Sequence, residues 1–333
     1  MKWIKWFLLF SKLLLLIAII IIAFGYLSGN PKFEQSFFEL FQNTLFNFQN
    51  LPTIFLLIIM SVLNWSLEAL KWQLLIKYLH SINFREAMQG VLSGVSFSFI
   101  GLSHVGHFAG RIWHLPAEIR TRAAGVFLTA NYPQALCSYT FGYLALVFWL
   151  YEFQGFPLWG VFLGFIFIFV GFLVGLAIYF KLKEISVFFL KAIHLLPSTI
   201  KQSASRFFQE LSFGSKHVKL LVLGYSLARY FTFVFQFCYI LYLFNIESPF
   251  SHVLEGVMLI YWVKSSLPSV SFLSDLGIRE ISAYLFFKDM GAPEEAILGA
   301  TLFTWSINVL LPACLGALLI KISANQPHFE KST

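Results

Sequence analysis

Apolar runs of membrane-crossing length follow one another along the chain, separated by short polar or basic stretches. They cover 7–27, 52–67 with an extension past Trp72, 123–151, 157–180, 220–246 and 296–320. A helix needs about 20 such residues to cross the hydrocarbon of a bilayer, so each run predicts a span. The first follows Lys2 and Lys5 like a secretory signal. Its length and the spans after it predict a retained anchor instead. Two further segments, 86–111 and 253–292, are apolar but punctuated by Gly, Ser, His, Pro and charge. The first carries Gln89-Gly90-Val91 and ends at Arg111; the second carries Glu255-Gly256-Val257 and reaches Arg279.

Lysine and arginine orient the spans. With the N-terminus cytoplasmic, two crossings return the chain inside at Lys71, Lys77 and Arg85, and two more return it at Lys181, Lys183 and the basic residues up to Lys219. Arg120 and Arg122 must also lie inside, so segment 86–111 enters and leaves on the cytoplasmic side. The same count places Glu247 outside and Lys321 and Lys331 inside, so segment 253–292 enters and leaves from outside. Of the 23 Lys+Arg residues only Lys32 and Lys288 then fall in outer loops. The expected architecture is all-α and polytopic, a single membrane domain over 1–333. It has two inverted halves, 1–155 and 156–333, each with a re-entrant or broken element. Broken segments at matching places in inverted halves are the sequence sign of a transporter site.

Composition agrees. Hydrophobic residues make up 58% of the chain and charged residues 12%, with 41 phenylalanines and 9 tryptophans. Surface this apolar suits lipid. The +7 net charge is concentrated in the basic, partly amphipathic loop 181–219, which suits anionic lipid at the cytoplasmic leaflet. No soluble domain is apparent to bind nucleic acid. Segment 33–48 has an apolar face and few charges and is expected on the outer side. Cys137, Cys238 and Cys314 sit singly in apolar runs, without metal-site or disulfide spacing.

An intramembrane charge needs a partner or a wet cavity. Arg279, Glu280 and Asp275 follow Pro268 inside an apolar region. Arg279 reads either as a lipid-phosphate ligand, since guanidinium pairs bidentately with phosphate, or as a structural partner of Asp275 or Glu280. Arg111 has the same two readings, headgroup ligand or interfacial anchor. Arg229 either snorkels to the cytoplasmic surface or faces a cavity. Lys264 lies deeper and could meet Glu255 or Glu68, while Glu68 and Lys71 have the spacing of a simple helical pair. Gln134, after Pro133, either lines the cavity or only marks a kink. His104, His107 and His114 lack a nearby Cys or carboxylate in sequence, so polar lining or proton handling fits better than zinc. Gly106, Gly110 and Gly277 are expected to shape the broken segments. No metal and no cofactor are expected.

The stretches "LEALKWQLLIKYL", "GHFAGRIWHLP" and "LPSVSFLSDLGIREISAYLFF" resemble the lysylphosphatidylglycerol synthase transmembrane-region family, over roughly 50–320. Gly277 to Glu280 is the most specific match. The resemblance implies two re-entrant elements and a role in moving lipid between leaflets. The soluble aminoacyl-transferase domain of fused members is not expected in this chain. Related stand-alone members usually carry Pro-Asn-Arg, one residue, then Gly-Glu in the first element. Here Leu102 to His107 reads Leu-Ser-His-Val-Gly-His, so two histidines replace an arginine and a glutamate and make local charge pH-sensitive.

The function these features favour is a lipid flippase in the cytoplasmic membrane, both termini inside, acting on an anionic, aminoacylated or polyprenyl-linked lipid. Two alternatives stay open. One is a membrane-embedded transferase using Asp275 and Glu280; the other is a non-catalytic partner of an envelope-lipid biosynthetic enzyme. Lipid identity, energy source and oligomeric state are not encoded in any motif.

Overall fold

The computed structural model describes residues 33–98, 103–182, 184–185, 214–267, 272–288 and 290–324. The expected first span over 7–27 and most of the basic loop 181–219 lie outside the described residues. All regular structure among the described residues is helical: α1 (Phe33–Leu45), α2 (Leu51–Ile76), α3 (Phe84–Ser98), α4 (Ser103–Trp113), α5 (Arg120–Gln154), α6 (Leu158–Phe180), α7 (Lys216–Leu243), α8 (Phe250–Ser266), α9 (Phe272–Lys288), α10 (Glu294–Trp305) and α11 (Leu311–Ala324).

Five stretches among the described residues are long and apolar enough to cross a membrane. They are α2 with its leading turn, α5 with its leading turn, α6, α7, and α10 with α11. They fall where the hydrophobic runs predict them. Helix α6 is the most lipid-like, with Trp159, Phe162, Phe167 and Phe169 each more than 60% exposed. That pattern is costly in water and ordinary in lipid. Gly155, in the left-handed conformation at φ 64°, closes α5 and lets the chain turn into α6.

The two interrupted segments are each a pair of helices. The first is α3 and α4, of 15 and 11 residues. At 1.5 Å per residue these reach about 22 and 16 Å, short of a full crossing. Glycine explains their close pairing. Gly90 and Gly94 on α3 face α4, and Gly106 and Gly110 on α4 face α3. A Cβ on Gly94 would stand 2.6 Å from the His107 carbonyl oxygen, and a Cβ on Gly110 would overlap the backbone of Gly94. In lipid, helices gain little from excluding water, so such backbone approach is what holds them. The second pair, α8 and α9, has 17 residues in each helix.

Helices α2 and α7 pack against each other and run through two apolar clusters. One contains Leu57, Phe237, Phe244 and Val257; the other contains Trp72, Ile76, Val91, Val126 and Val222. Helix α1 joins the first through Phe41, whose ring lies 5.8 Å from that of Phe244. The apolar face expected at 33–48 thus packs on protein. Between the clusters lies a polar layer. The last span contains a π turn at Ser306–Leu310, which frees carbonyls that need other donors. Ser61 Oγ donates to the Ile307 carbonyl at 2.9 Å and Trp65 Nε1 to that of Asn308 at 3.2 Å. Asn308 Nδ2 donates to Gln236 Oε1, and Gln236 Nε2 donates to the Leu57 carbonyl.

Candidate functional site: a cationic cavity organised by Glu68

On α2, Ser61, Asn64, Trp65, Glu68, Lys71 and Trp72 recur every three or four residues and are all buried. This spacing puts them on one helical face, turned inward from lipid. Glu68 is the hub. Arg111 Nη2 donates to its Oε1 at 2.7 Å. Its Oε2 pairs with Lys71 Nζ at 2.9 Å and Arg229 Nη1 at 3.1 Å. Glu68 is 1% exposed, Lys71 0%, Arg111 4% and Arg229 12%. The Glu68–Lys71 pair suggested by spacing is therefore real, but it is one part of a four-residue cluster. Three cations share one carboxylate, which leaves two positive charges unanswered within the cluster.

Aromatic rings hold both guanidinium groups. Arg111 lies over Trp72 and Phe127, 5.6 and 5.0 Å from the ring centroids. Arg229 lies over Trp65 and Phe233, at 5.4 and 5.1 Å. These contacts use the planar faces and are favourable when desolvated. They leave donor atoms over: Arg111 Nε and Nη1 and Arg229 Nε are buried and have no hydrogen-bond acceptor among the described residues.

Arg229 lies thirteen residues after α7 begins at Lys216. That is about 20 Å along the helix axis, and the side chain, 12% exposed, turns to Glu68 on α2. Its ion pair with Glu68 gives the cavity-facing alternative. Arg111 is similarly buried, not spread on an interface.

These groups line a cavity of about 800 Å³ between α2, α4, α5, α7, α8 and α9. Gln134, His107, Lys264 and Arg279 line it too, as do Tyr230, Tyr261 and Asn308. Among the described residues Glu68 is the only carboxylate on its wall, against Arg111, Arg229, Lys264 and Arg279. Leu128 and Leu267 also line it and are about half exposed, so the cavity is open where they stand.

Six candidate site residues, Arg111, Arg229, Lys264, Arg279, Gln134 and His107, thus line one cavity. Glu280 is buried at 2% but is not on the wall. The side chains of Asp275 and His104 lie outside the described residues. Gly106 and Gly110 are required by the α3–α4 contact, whereas a Cβ on Gly277 would meet nothing within 4 Å among the described residues. His114 is apart from the cavity: its Nε2 is 3.0 Å from Ser93 Oγ, and burial pushes its pKa down. Among the described residues no three His, Cys, Asp or Glu side chains converge as metal ligands. Glu68 and Lys71 as a hub were the chief omission from sequence reasoning. The three-to-four spacing of polar residues within an otherwise apolar span was the available signal.

Fold and site together define a multi-pass α-helical membrane protein with a buried, positively charged cavity. The family described as lysylphosphatidylglycerol synthase TM region matches residues 13–316. The chain belongs to that family, which ties it to membrane-lipid metabolism. No curated protein and no solved structure matches it.

Proposed function

We propose that the chain is a lipid translocator that carries an anionic headgroup through the Glu68 cavity. The observation that carries this reading is the cluster itself: three buried cations on one carboxylate, of which Arg111 and Arg229 join Glu68 on the wall of an open cavity. A headgroup phosphate would take the unused guanidinium donors, while its tails remain in lipid beyond Leu128 and Leu267. The short helices α3 and α4 support a re-entrant element from the cytoplasmic side, and α8 and α9 its inverted counterpart from outside. Rocking of the two halves about the cavity would expose it to each leaflet in turn.

A translocator role fits the site better than catalysis. Glu68 is committed to three cations, so it is a poor general base or nucleophile. Both termini are assigned to the cytoplasmic side by the distribution of lysine and arginine.

The test is dithionite quenching of acyl-labelled fluorescent phosphatidylglycerol and, in parallel, phosphatidic acid, in vesicles containing the purified chain. Wild type should make the protected inner-leaflet signal accessible, and Arg111→Gln should slow this about tenfold or more, the effect of losing one charged hydrogen-bond donor. Quenching by wild type no faster or deeper than in protein-free vesicles, with both lipids, would remove this reading.

A further inference from the structure

Resting on the translocator reading, we infer that the headgroup carried is a terminal phosphate with two negative charges, a phosphomonoester or diphosphate end, and not a singly charged phosphodiester. The argument begins with charge. Glu68 neutralises one of Lys71, Arg111 and Arg229 and leaves two cationic charges over. These groups are nearly fully buried, so bulk water does not screen the imbalance. A diester phosphate carries one negative charge and would answer half of it. A terminal phosphate carries close to two near neutral pH and would answer all of it.

Geometry agrees. Arg111 and Arg229 bind opposite oxygens of the same carboxylate. Their cationic heads are therefore separated by little more than a carboxylate group and its two contacts, a span that one phosphate can bridge. The rings of Trp72, Phe127, Trp65 and Phe233 fix the two guanidinium planes in advance. Donors without an acceptor among the described residues remain on each arginine, at Arg111 Nε and Nη1 and at Arg229 Nε; they are shielded from the cavity, so an entering phosphate reaches them by turning the guanidinium groups. A terminal phosphate has three unesterified oxygens to place among them. A phosphodiester has two, and its second ester substituent must also be housed between the flanking aromatic rings.

The same phosphate chemistry could come from a lipid or from a soluble phosphate. The experiment separates these sources. The full chain, in a non-ionic detergent, is titrated with dioctanoyl phosphatidic acid, dioctanoyl phosphatidylglycerol and inorganic phosphate, with binding read by thermal shift. The first two share tails and differ in the phosphate, which is a monoester in one and a diester in the other. Phosphatidic acid should bind about tenfold or more tightly than phosphatidylglycerol, a difference of about 1.4 kcal/mol. Arg229→Gln, which removes one surplus charge, should erase most of that preference. Inorganic phosphate should bind far more weakly than phosphatidic acid.

Equal affinity for the two lipids would overturn the dianion inference and leave the translocator reading intact. Inorganic phosphate binding as tightly as phosphatidic acid would uphold the dianion and overturn a lipid as its source. No binding of any of the three probes would overturn both. The wild-type comparison alone decides the dianion, so it does not depend on how well Arg229→Gln folds.

Discussion

Glu68→Gln and Arg229→Gln remove opposite signs from one cluster, and their consequences should be unequal. Each ion pair to Glu68 sets unit charges about 4 Å apart, which at an effective dielectric constant of about 20 is a gross attraction of about 4 kcal/mol. The cations repel one another across about 7 Å, at about 2.4 kcal/mol per pair in the same medium. Removing Arg229 forfeits one attraction and relieves two repulsions, so the electrostatic change is close to zero. Removing the Glu68 charge forfeits all three attractions and leaves every repulsion in place. Water entry will absorb part of that loss, so the measured cost should approach the 3–5 kcal/mol, roughly, of breaking a buried pair. Apparent melting temperature can be read by size-exclusion chromatography after heating in a non-ionic detergent. Glu68→Gln should melt about 10 °C or more below wild type, and Arg229→Gln within about 3 °C of it. If Arg229→Gln melted as low as Glu68→Gln, the positive surplus would be fictitious and Arg229 a structural partner that Glu68 requires.

Two further outcomes follow from the packing around the cavity. Gly110→Ala places a methyl group against the backbone of Gly94 and should cost about 1–3 kcal/mol as overpacking; Gly277→Ala, with open space around it, should be neutral or stabilising by up to about 1 kcal/mol because alanine favours helix. His114 provides a pH test. Burial lowers its folded-state pKa, so below the ordinary histidine range the unfolded chain binds more protons, and the contribution is full above about pH 6.5 and lost as pH falls through the folded value. Melting of wild type should therefore fall on acidification through that range, and His114→Gln should flatten part of the slope; an unchanged slope would assign the acid sensitivity elsewhere.

The spans were legible because their signal is redundant: twenty or so apolar residues predict a crossing even when several boundary residues are misplaced. Segments 86–111 and 253–292 were legible as interruptions, since Gly, Ser and charge stand out in an apolar background. Their internal structure was less so. Gly90, Gly94, Gly106 and Gly110 form two facing four-residue repeats, but a repeat in one helix does not name the helix it meets. Arg111 and Arg229 were visible as charges in the wrong solvent. Their common partner was not, because Glu68 is 43 residues from Arg111 and a nearby lysine offered an adequate local explanation. Local spacing shows that Glu68 and Lys71 can pair. Only the packing of α2 against α4 and α7 shows that two more cations arrive.

That arrival is the reason to treat the cluster as functional. Burying a matched ion pair gains little over burying apolar residues of similar size, so a membrane protein that needed only stability could fill this layer with leucine. A cluster with surplus charge is costlier still, because each added cation loses hydration and meets like charge. Trp65, Trp72, Phe127 and Phe233 soften the repulsion by presenting ring faces to the guanidinium groups, but they supply no negative charge. On the proposed reading, an anion from outside the described residues completes the site electrostatically. In the proposed cycle that anion arrives with the lipid, so the cavity is most stable when loaded. The cavity need not bind so tightly that it cannot release, because Glu68 already satisfies part of each arginine and competes with the phosphate for both. Glu68 then has two tasks, holding the cations in place while the cavity is empty and weakening their grip when it is full. Its removal should accordingly destabilise the empty protein while strengthening phosphate binding in whatever fraction still folds.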